Sequence, residues 1–274
     1  MTKFIRYVFF IEILILLGSC TNDEMVLMPE IVEEESNVDN RLEYGFSIDS
    51  TIINLESDCN YRIQTLKRLG GFLEPRSDFR IDSFSYDSEG KEIEMRNVHF
   101  SEQYVYNSEG YLDSILYYFN QTLRNVSKIT LNEDNLMIKL EEYKNGELSE
   151  TYHFNYDPFG KVIELKTEMN NRTVHYGWRE GNVVSMRVFY GNRLSQLTSF
   201  VYDDKPAFQR NNIHFYISSP VNTSLNNVIK VSHKDATCKA CTFSYSYSPE
   251  CNYPYRVFQF DGSPMIDTIT YCMF

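Results

Sequence analysis

The sequence lacks the marks of most enzymes. It has no G-x-S-x-G, P-loop or H-E-x-x-H motif. Its five histidines, His99, His153, His175, His214 and His233, fall in no catalytic or metal-binding motif. Proline is scarce, with 8 residues, and several of these fall in turns. No segment carries a sustained helical stripe, so a helical bundle is excluded. Positive charge is also in short supply: 26 Lys and Arg stand against 38 Asp and Glu, for a formal net charge of −12. An acidic chain repels phosphate backbones and anionic headgroups, so nucleic acid is not an expected partner. No cofactor is implied. The apolar run from Val8 to Leu17 is interrupted by Glu12 and is too short for a bilayer, which needs roughly 20 apolar residues.

That run is nevertheless informative. Lys3 and Arg6 precede it, and Leu17-Gly18-Ser19-Cys20 closes it. A basic start, an apolar stretch and small residues before a cut make a secretory signal. With cysteine directly after the small pair, the stretch resembles a bacterial lipoprotein lipobox. The resemblance implies cleavage after residue 19, lipidation of Cys20, and membrane attachment through several acyl chains, which anchor firmly where one would not. Residues 20–43 follow as an acidic tether, with Asp23-Glu24 and Glu33-Glu34-Glu35. Acidic residues just behind the lipidated cysteine resemble the surface-export signal of Bacteroidetes lipoproteins. They imply an outer-membrane protein exposed at the cell surface; a periplasm-facing protein is the alternative.

Five cysteines remain after Cys20: Cys59, Cys238, Cys241, Cys251 and Cys272. Cys238 and Cys241 have C-x-x-C spacing, and with Cys251 they are candidate zinc ligands. Export from the cytosol favours disulfides or quiet thiols over a metal. The odd count leaves at least one thiol unpaired within the chain.

Residues 44–274 are expected to form one all-β domain. Thr151-Tyr152-His153-Phe154-Asn155-Tyr156 alternates polar with aromatic, and Val162-Ile163-Glu164-Leu165-Lys166 alternates apolar with charged. With 21 Tyr and 19 Phe the composition suits strands. Turn signals recur at Tyr86-Asp87-Ser88-Glu89-Gly90, Tyr106-Asn107-Ser108-Glu109-Gly110 and Tyr156-Asp157-Pro158-Phe159-Gly160. Weaker copies fall at Leu131-Asn132-Glu133-Asp134-Asn135 and Trp178-Arg179-Glu180-Gly181. Turns at Asn120-Gln121-Thr122, Lys144-Asn145-Gly146, Asn170-Asn171 and Gly191-Asn192 lie between them, at the opposite end. Two turns per repeat give an up-and-down antiparallel meander of roughly 14–18 short strands, curled into a barrel or barrel-like sheet. Several segments are short of the roughly 9–11 residues that cross a bilayer at a tilt, so the domain is expected to stand outside the membrane. An integral outer-membrane barrel is the alternative.

The Tyr-Asp/Asn-x-x-Gly signature resembles the YD repeat of Rhs-type and teneurin proteins, which wind many repeats into a shell. With the lipobox, residues 80–205 are similar to a Bacteroidetes lipoprotein family of unknown function with a porin-like fold. Neither resemblance carries catalytic residues to this chain. Among possible sites, a His153–Glu164 pair is expected across the 157–160 turn, in a position for acid–base work but more simply a cross-strand pair. Asp203-Asp204 and Asp78/Asp82 lack the loop spacing of a calcium site. Dense tyrosines, such as Tyr104/Tyr106, Tyr117/Tyr118 and Tyr245/Tyr247, are candidates for stacking on sugars or anchoring proteins. Asp113-Ser114-Ile115 and Asp267-Thr268-Ile269 resemble Bacteroidetes O-glycosylation sites. The expectation is an envelope lipoprotein without catalysis that binds a glycan or an envelope protein through a β-surface; a structural or assembly role in the outer membrane is the alternative.

Overall fold

A computed structural model of the chain describes residues 61–69, 79–207, 219–234, 240–249, 252–259 and 264–273. Cys20, Cys59, Cys238 and Cys251 lie outside them, as does the side chain of Cys241. The described residues form sixteen strands: β1 Tyr61–Leu69, β2 Phe79–Tyr86, β3 Glu92–Arg96, β4 Phe100–Tyr106, β5 Leu112–Phe119, β6 Thr122–Leu131, β7 Met137–Lys144, β8 Glu147–Tyr156, β9 Val162–Thr167, β10 Arg172–Arg179, β11 Asn182–Tyr190, β12 Arg193–Pro206, β13 Asn226–Lys234, β14 Ala240–Tyr247, β15 Pro254–Gln259 and β16 Pro264–Met273. Each pairs antiparallel with its sequence neighbours, and β1 pairs with both β2 and β16, so the ladder closes on itself.

Four turns at one end of the ring share one construction. At Asp87, Asn107, Asn132 and Asp157 the side-chain Oδ1 accepts two backbone N–H groups, two and four residues ahead, at 2.8–3.0 Å. This Asx geometry needs an acceptor at the first position and a left-handed residue at the fourth. Gly90, Gly110 and Gly160 supply the latter with φ near +80°, and Asn135 does so with φ +61°. The residues at 131–135 therefore build the full turn despite lacking both the tyrosine and the glycine. At 178–181 the same end is closed differently. Glu180-Gly181, both left-handed, make a two-residue hairpin in which Arg179 pairs with Asn182. We refer to this as the Asx end, and to the opposite rim as the far end.

A bulge follows each of these turns. Tyr86 pairs with Glu92 but Ser85 with Glu94; Tyr156 pairs with Val162 but Asn155 with Glu164. The same skip recurs at Asp113, Ile138, Val184, Ile229 and Tyr255. It corrects the expected His153–Glu164 pair. The bulge and the longer turn together move His153 opposite Lys166, and Glu164 falls opposite Asn155.

A bulge disrupts the ladder and leaves backbone groups without their regular partners. Here an aromatic side chain from the next hairpin reaches back to the carbonyl beside the bulge. Tyr106 donates to Glu92 O at 2.5 Å, Tyr156 to Met137 O at 2.7 Å, Trp178 to Val162 O at 2.8 Å and Tyr202 to Val183 O at 2.6 Å. Tyr245 bonds Val228 O, and Tyr86 bonds Ile63 O beside a bulge in β1, each at 2.6 Å. The tyrosine of the repeat is thus a clasp between neighbouring hairpins. Leu131 interrupts the series, having no donor.

Apolar side chains fill the ring as two clusters. One centres on Met137, Val162, Val174 and Val183 of β7–β11; the other centres on Leu66, Met95, Leu112 and Ile115 of β1 and β3–β5. Ile129 of β6 and Tyr245 of β14, on strands half a ring apart, pack against both. A round sixteen-stranded barrel leaves an aqueous channel. Residues such as Leu66, Met95 and Val174, at 0% exposure, show a ring filled by its own side chains at these levels.

The clasp yields a test. Tyr156→Phe strands the Met137 carbonyl in a partly buried site and should cost about 1–3 kcal/mol. Tyr190→Phe, on an exposed side chain, should change stability by less than about 0.5 kcal/mol. Urea unfolding of both variants measures the difference; equal stabilities would remove the clasp as a stabilising device.

Candidate functional site

The interior changes character towards the far end. Asp82 (β2), Glu102 (β4), Ser127 (β6), Glu150 (β8), Thr198 (β12) and His233 (β13) are all buried. They share the strand phase of core residues: Glu102 with Tyr104, Glu150 with Phe154 four residues further on, and His233 with Val231. Strand alternation therefore points them inward. Glu142 and Glu150 stand directly opposite each other on β7 and β8, and Ser127 stands opposite Glu142 on β6.

The two carboxylates have different surroundings. Glu150 is held by three donors: Thr151 N at 3.0 Å, Met169 N at 2.9 Å and Asn170 Nδ2 at 2.6 Å. It thereby caps the β9–β10 turn. Glu142 is half-buried. Burial pushes its carboxyl up to about 7, and the Glu150 charge adds to this, while a hydrogen bond with Tyr152 works against it. Tyr104 donates to Glu102 at 2.9 Å. Burial, and then the Glu102 charge, hold the phenols of Tyr104 and Tyr117 well above their ordinary range. The Arg172 charge acts on Tyr152 in the opposite sense. A polar network thus crosses β4, β5, β7, β8 and β10.

Further round the ring, His233 Nδ1 lies 2.9 Å from Thr198 Oγ1 and 3.3 Å from Gln196 Nε2. Burial lowers its pKa, so the neutral ring is favoured. Its Nε2 is buried without a hydrogen-bond partner among the described residues. Glu142, Tyr152, Arg172 and Gln196 are partly exposed. The network can hold a proton on Glu142 and can offer carboxylate, phenol, guanidinium and amide groups to a polar ligand.

Other candidates are placed elsewhere. His153 Nε2 contacts Glu168 at 2.7 Å, on the outside of the barrel with both side chains exposed. His175, not His153, stands opposite Glu164. Asp203 accepts from the Tyr247 hydroxyl and from Asn227 N at 3.1 Å, whereas Asp204 is exposed beside Lys205. The adjacent aspartates therefore do not converge on a cation. Asp82 accepts from Asn97 Nδ2 at 3.1 Å, and Asp78 lies outside the described residues. Of the proposed zinc ligands, only the backbone of Cys241 is described, on β14 opposite Val231. Among the described residues no group of three or more His, Cys, Asp or Glu is placed to hold a metal ion. Tyr86, Tyr106, Tyr156, Tyr202 and Tyr245 are spent on backbone carbonyls. Ser114 of the first Asp-Ser-Ile site stands on β5 next to the buried Ile115.

No family model matches the chain, and no characterised protein matches it in sequence. Its fold has a solved counterpart. A porin-like protein from Bacteroides uniformis ATCC 8492 superposes with a TM-score of 0.53, at 9% identity, over 80% of this chain and 97% of that one. The two share a fold. A crystal structure of TcdB2-TccC3 without its hypervariable C-terminal region matches 67% of this chain and 10% of that one at 9% identity. Its TM-score of 0.29 falls short of a shared fold.

The Glu142 environment sets a pH dependence. The folded state binds this proton more tightly than an unfolded chain, whose carboxyl titrates near 4.5. Folding therefore releases no proton here at low pH, and stability drains away as pH rises through about 7. Glu142→Gln removes that loss. Its melting temperature should match the parent near pH 5 and exceed it by several degrees at pH 8. A gap independent of pH would mean that Glu142 carries its charge in the fold.

Proposed function

We propose that the protein is a cell-envelope lipoprotein, anchored through Cys20, whose β-domain binds a glycan without turning it over. The observation that carries the glycan reading is the far-end network. Glu142, Tyr152, Arg172 and Gln196 are partly accessible, and buried, hydrogen-bonded Glu102, Glu150 and Thr198 lie on the inward strand phase at the same end. Hydroxyl-rich ligands are held by such mixtures of acceptors and donors placed by a rigid scaffold. The dense tyrosines do not carry it, because Tyr106 and Tyr245 close the scaffold and Tyr104 and Tyr117 are buried.

A pore is the function that the neighbour's description suggests. Against it stands the filled interior, where the two clusters of β1–β5 and β7–β14 meet. A transmembrane barrel also needs an apolar outer band about 25 Å tall. Here Glu94, Arg96, Lys166 and Glu168 project outward, three of them in ion pairs with one another or with His153 on that surface. Both features support a barrel that stands clear of the bilayer, with the acyl chains as its attachment. The alternative of a structural or assembly partner in the outer membrane uses the same anchor, and differs in finding its ligand among proteins.

A glycan array probed with the full chain tests the reading. Binding to at least one polysaccharide class is expected, and Arg172→Ala should weaken it by tenfold or more, as loss of charged hydrogen bonds does. An empty array combined with specific capture of an outer-membrane protein by in-cell crosslinking would replace this reading by the assembly role. Protease added to intact cells should release the β-domain; survival until lysis would place it in the periplasm.

A further inference from the structure

Towards the far end the outward face of β5–β8 carries an apolar patch, unlike its neighbour. On β8–β10 the outer residues are polar, among them His153, Glu164, Lys166 and His175. On β5–β8 the alternation opposite the buried Ile115, Tyr117, Ser127 and Leu140 puts Leu116, Tyr118, Val126 and Tyr143 outside. Register makes them continuous. Tyr118 pairs with Leu123, Leu116 with Val126, Val126 with Tyr143, and Tyr143 with Leu148. Leu123 and Leu148 are 47% and 42% exposed. Basic residues border the patch: Lys128 lies 5.1 Å over the Tyr143 ring and the exposed Arg124 follows Leu123 on β6, whereas Glu141 is neutralised by Lys139 at 3.3 Å. On a chain of net charge −12 this is an apolar surface with the opposite sign at its edge.

The chain contains one segment of matching chemistry. Met25-Val26-Leu27-Met28-Pro29-Glu30-Ile31-Val32 is apolar, and Asp23-Glu24 and Glu33-Glu34-Glu35 bracket it with acid. A solvated tether has no need of six large apolar residues in eight. We infer that residues 25–35 dock on the outer face of β5–β8 of the same chain, setting their apolar side chains on Tyr118, Leu123, Tyr143 and Leu148 and their glutamates beside Arg124 and Lys128. The connection is long enough. Residues 36–60 reach roughly 80 Å when extended, and β6 lies five strands from β1, about 24 Å along the sheet. Docking would draw the segment behind Cys20 against the barrel wall, so that this wall lies nearest the anchor.

The photo-crosslinker p-benzoylphenylalanine placed at Leu27 of the full chain tests this. Crosslinked peptides identified by mass spectrometry should carry Tyr118, Leu123, Tyr143 or Leu148. The yield should fall at least fivefold in Tyr143→Glu, and equally in Val26→Asp, which leaves the barrel sequence untouched. Mixing isotope-labelled with unlabelled chains identifies the donor: crosslinks within one chain support the inference, and mixed-label crosslinks overturn it in favour of a second copy. Crosslinks that fall elsewhere, or are indifferent to both substitutions, also overturn it.

Discussion

The ring depends on how it satisfies the backbone at seven repeated bulges. Each Asx-end turn is followed by an extra residue that interrupts the ladder. Most of the exposed carbonyls are taken by a phenol or indole from the next hairpin, at 2.5–2.8 Å. An unmet buried polar group costs about 1–3 kcal/mol, so five such positions without clasps would consume much of a domain's typical stability of about 5–15 kcal/mol. Because donor and acceptor sit on successive hairpins, the clasps also fix each hairpin against the next. The same bulges add twist and bend, which lets a wide sheet curl until β1 meets β16.

This explains which parts of the fold were legible in the sequence. Asp87, Asn107 and Asp157 are one-residue signals with a local cause, the Asx turn, so they mark turns without reference to the rest of the chain. Alternation then sets which residues face inward. The bulge has no such signature: the skipped residues include Ile93, Ile138 and Ile163 but also Asp113, and a β-branched aliphatic there reads as an ordinary strand residue. Counting back from the Asp157–Gly160 turn therefore misplaces His153 against Glu164. The tyrosine clasp was visible only as a recurring tyrosine, which suggests stacking when its hydroxyl is in fact engaged with the backbone.

The far-end network was missed for a different reason. Glu150 continues the aromatic phase Tyr152, Phe154, Tyr156, and Glu102 shares the phase of Tyr104 and Tyr106. A carboxylate on the apolar phase of a strand is a detectable signal of a buried polar group. The polar phase of the same strand carries no such signal, since His153 and Asn155 meet Glu168 and Glu164 on the outer wall. The histidine with an unusual environment, His233, lies in a segment with no repeat to frame it. Its significance comes from Thr198 and Gln196, whose approach depends on the β12–β13 register.

The two ends of the ring therefore do opposite work with the same residue types. At the Asx end, carboxylates of Asp87 and Asp157 and the clasping phenols are bound to main chain and determine shape, although Asp203 and Tyr247 bond each other there. At the far end, carboxylates and phenols bind one another. Glu102 accepts from Tyr104, and Glu142 shares a hydrogen bond with Tyr152 beside Glu150. Side chains that pair with one another are a costly way to build a core, since apolar residues of similar volume usually serve stability as well or better. Glu142, partly open to solvent and pushed towards neutral pH by burial and the neighbouring carboxylate, is where that cost is concentrated. A structural role would be satisfied by Glu150, which caps the β9–β10 turn with hydrogen bonds from Met169 N and Asn170 Nδ2 and accepts a third from Thr151 N on its own strand. The second acid opposite it is what sets Glu142 apart from the carboxylates that shape the ring.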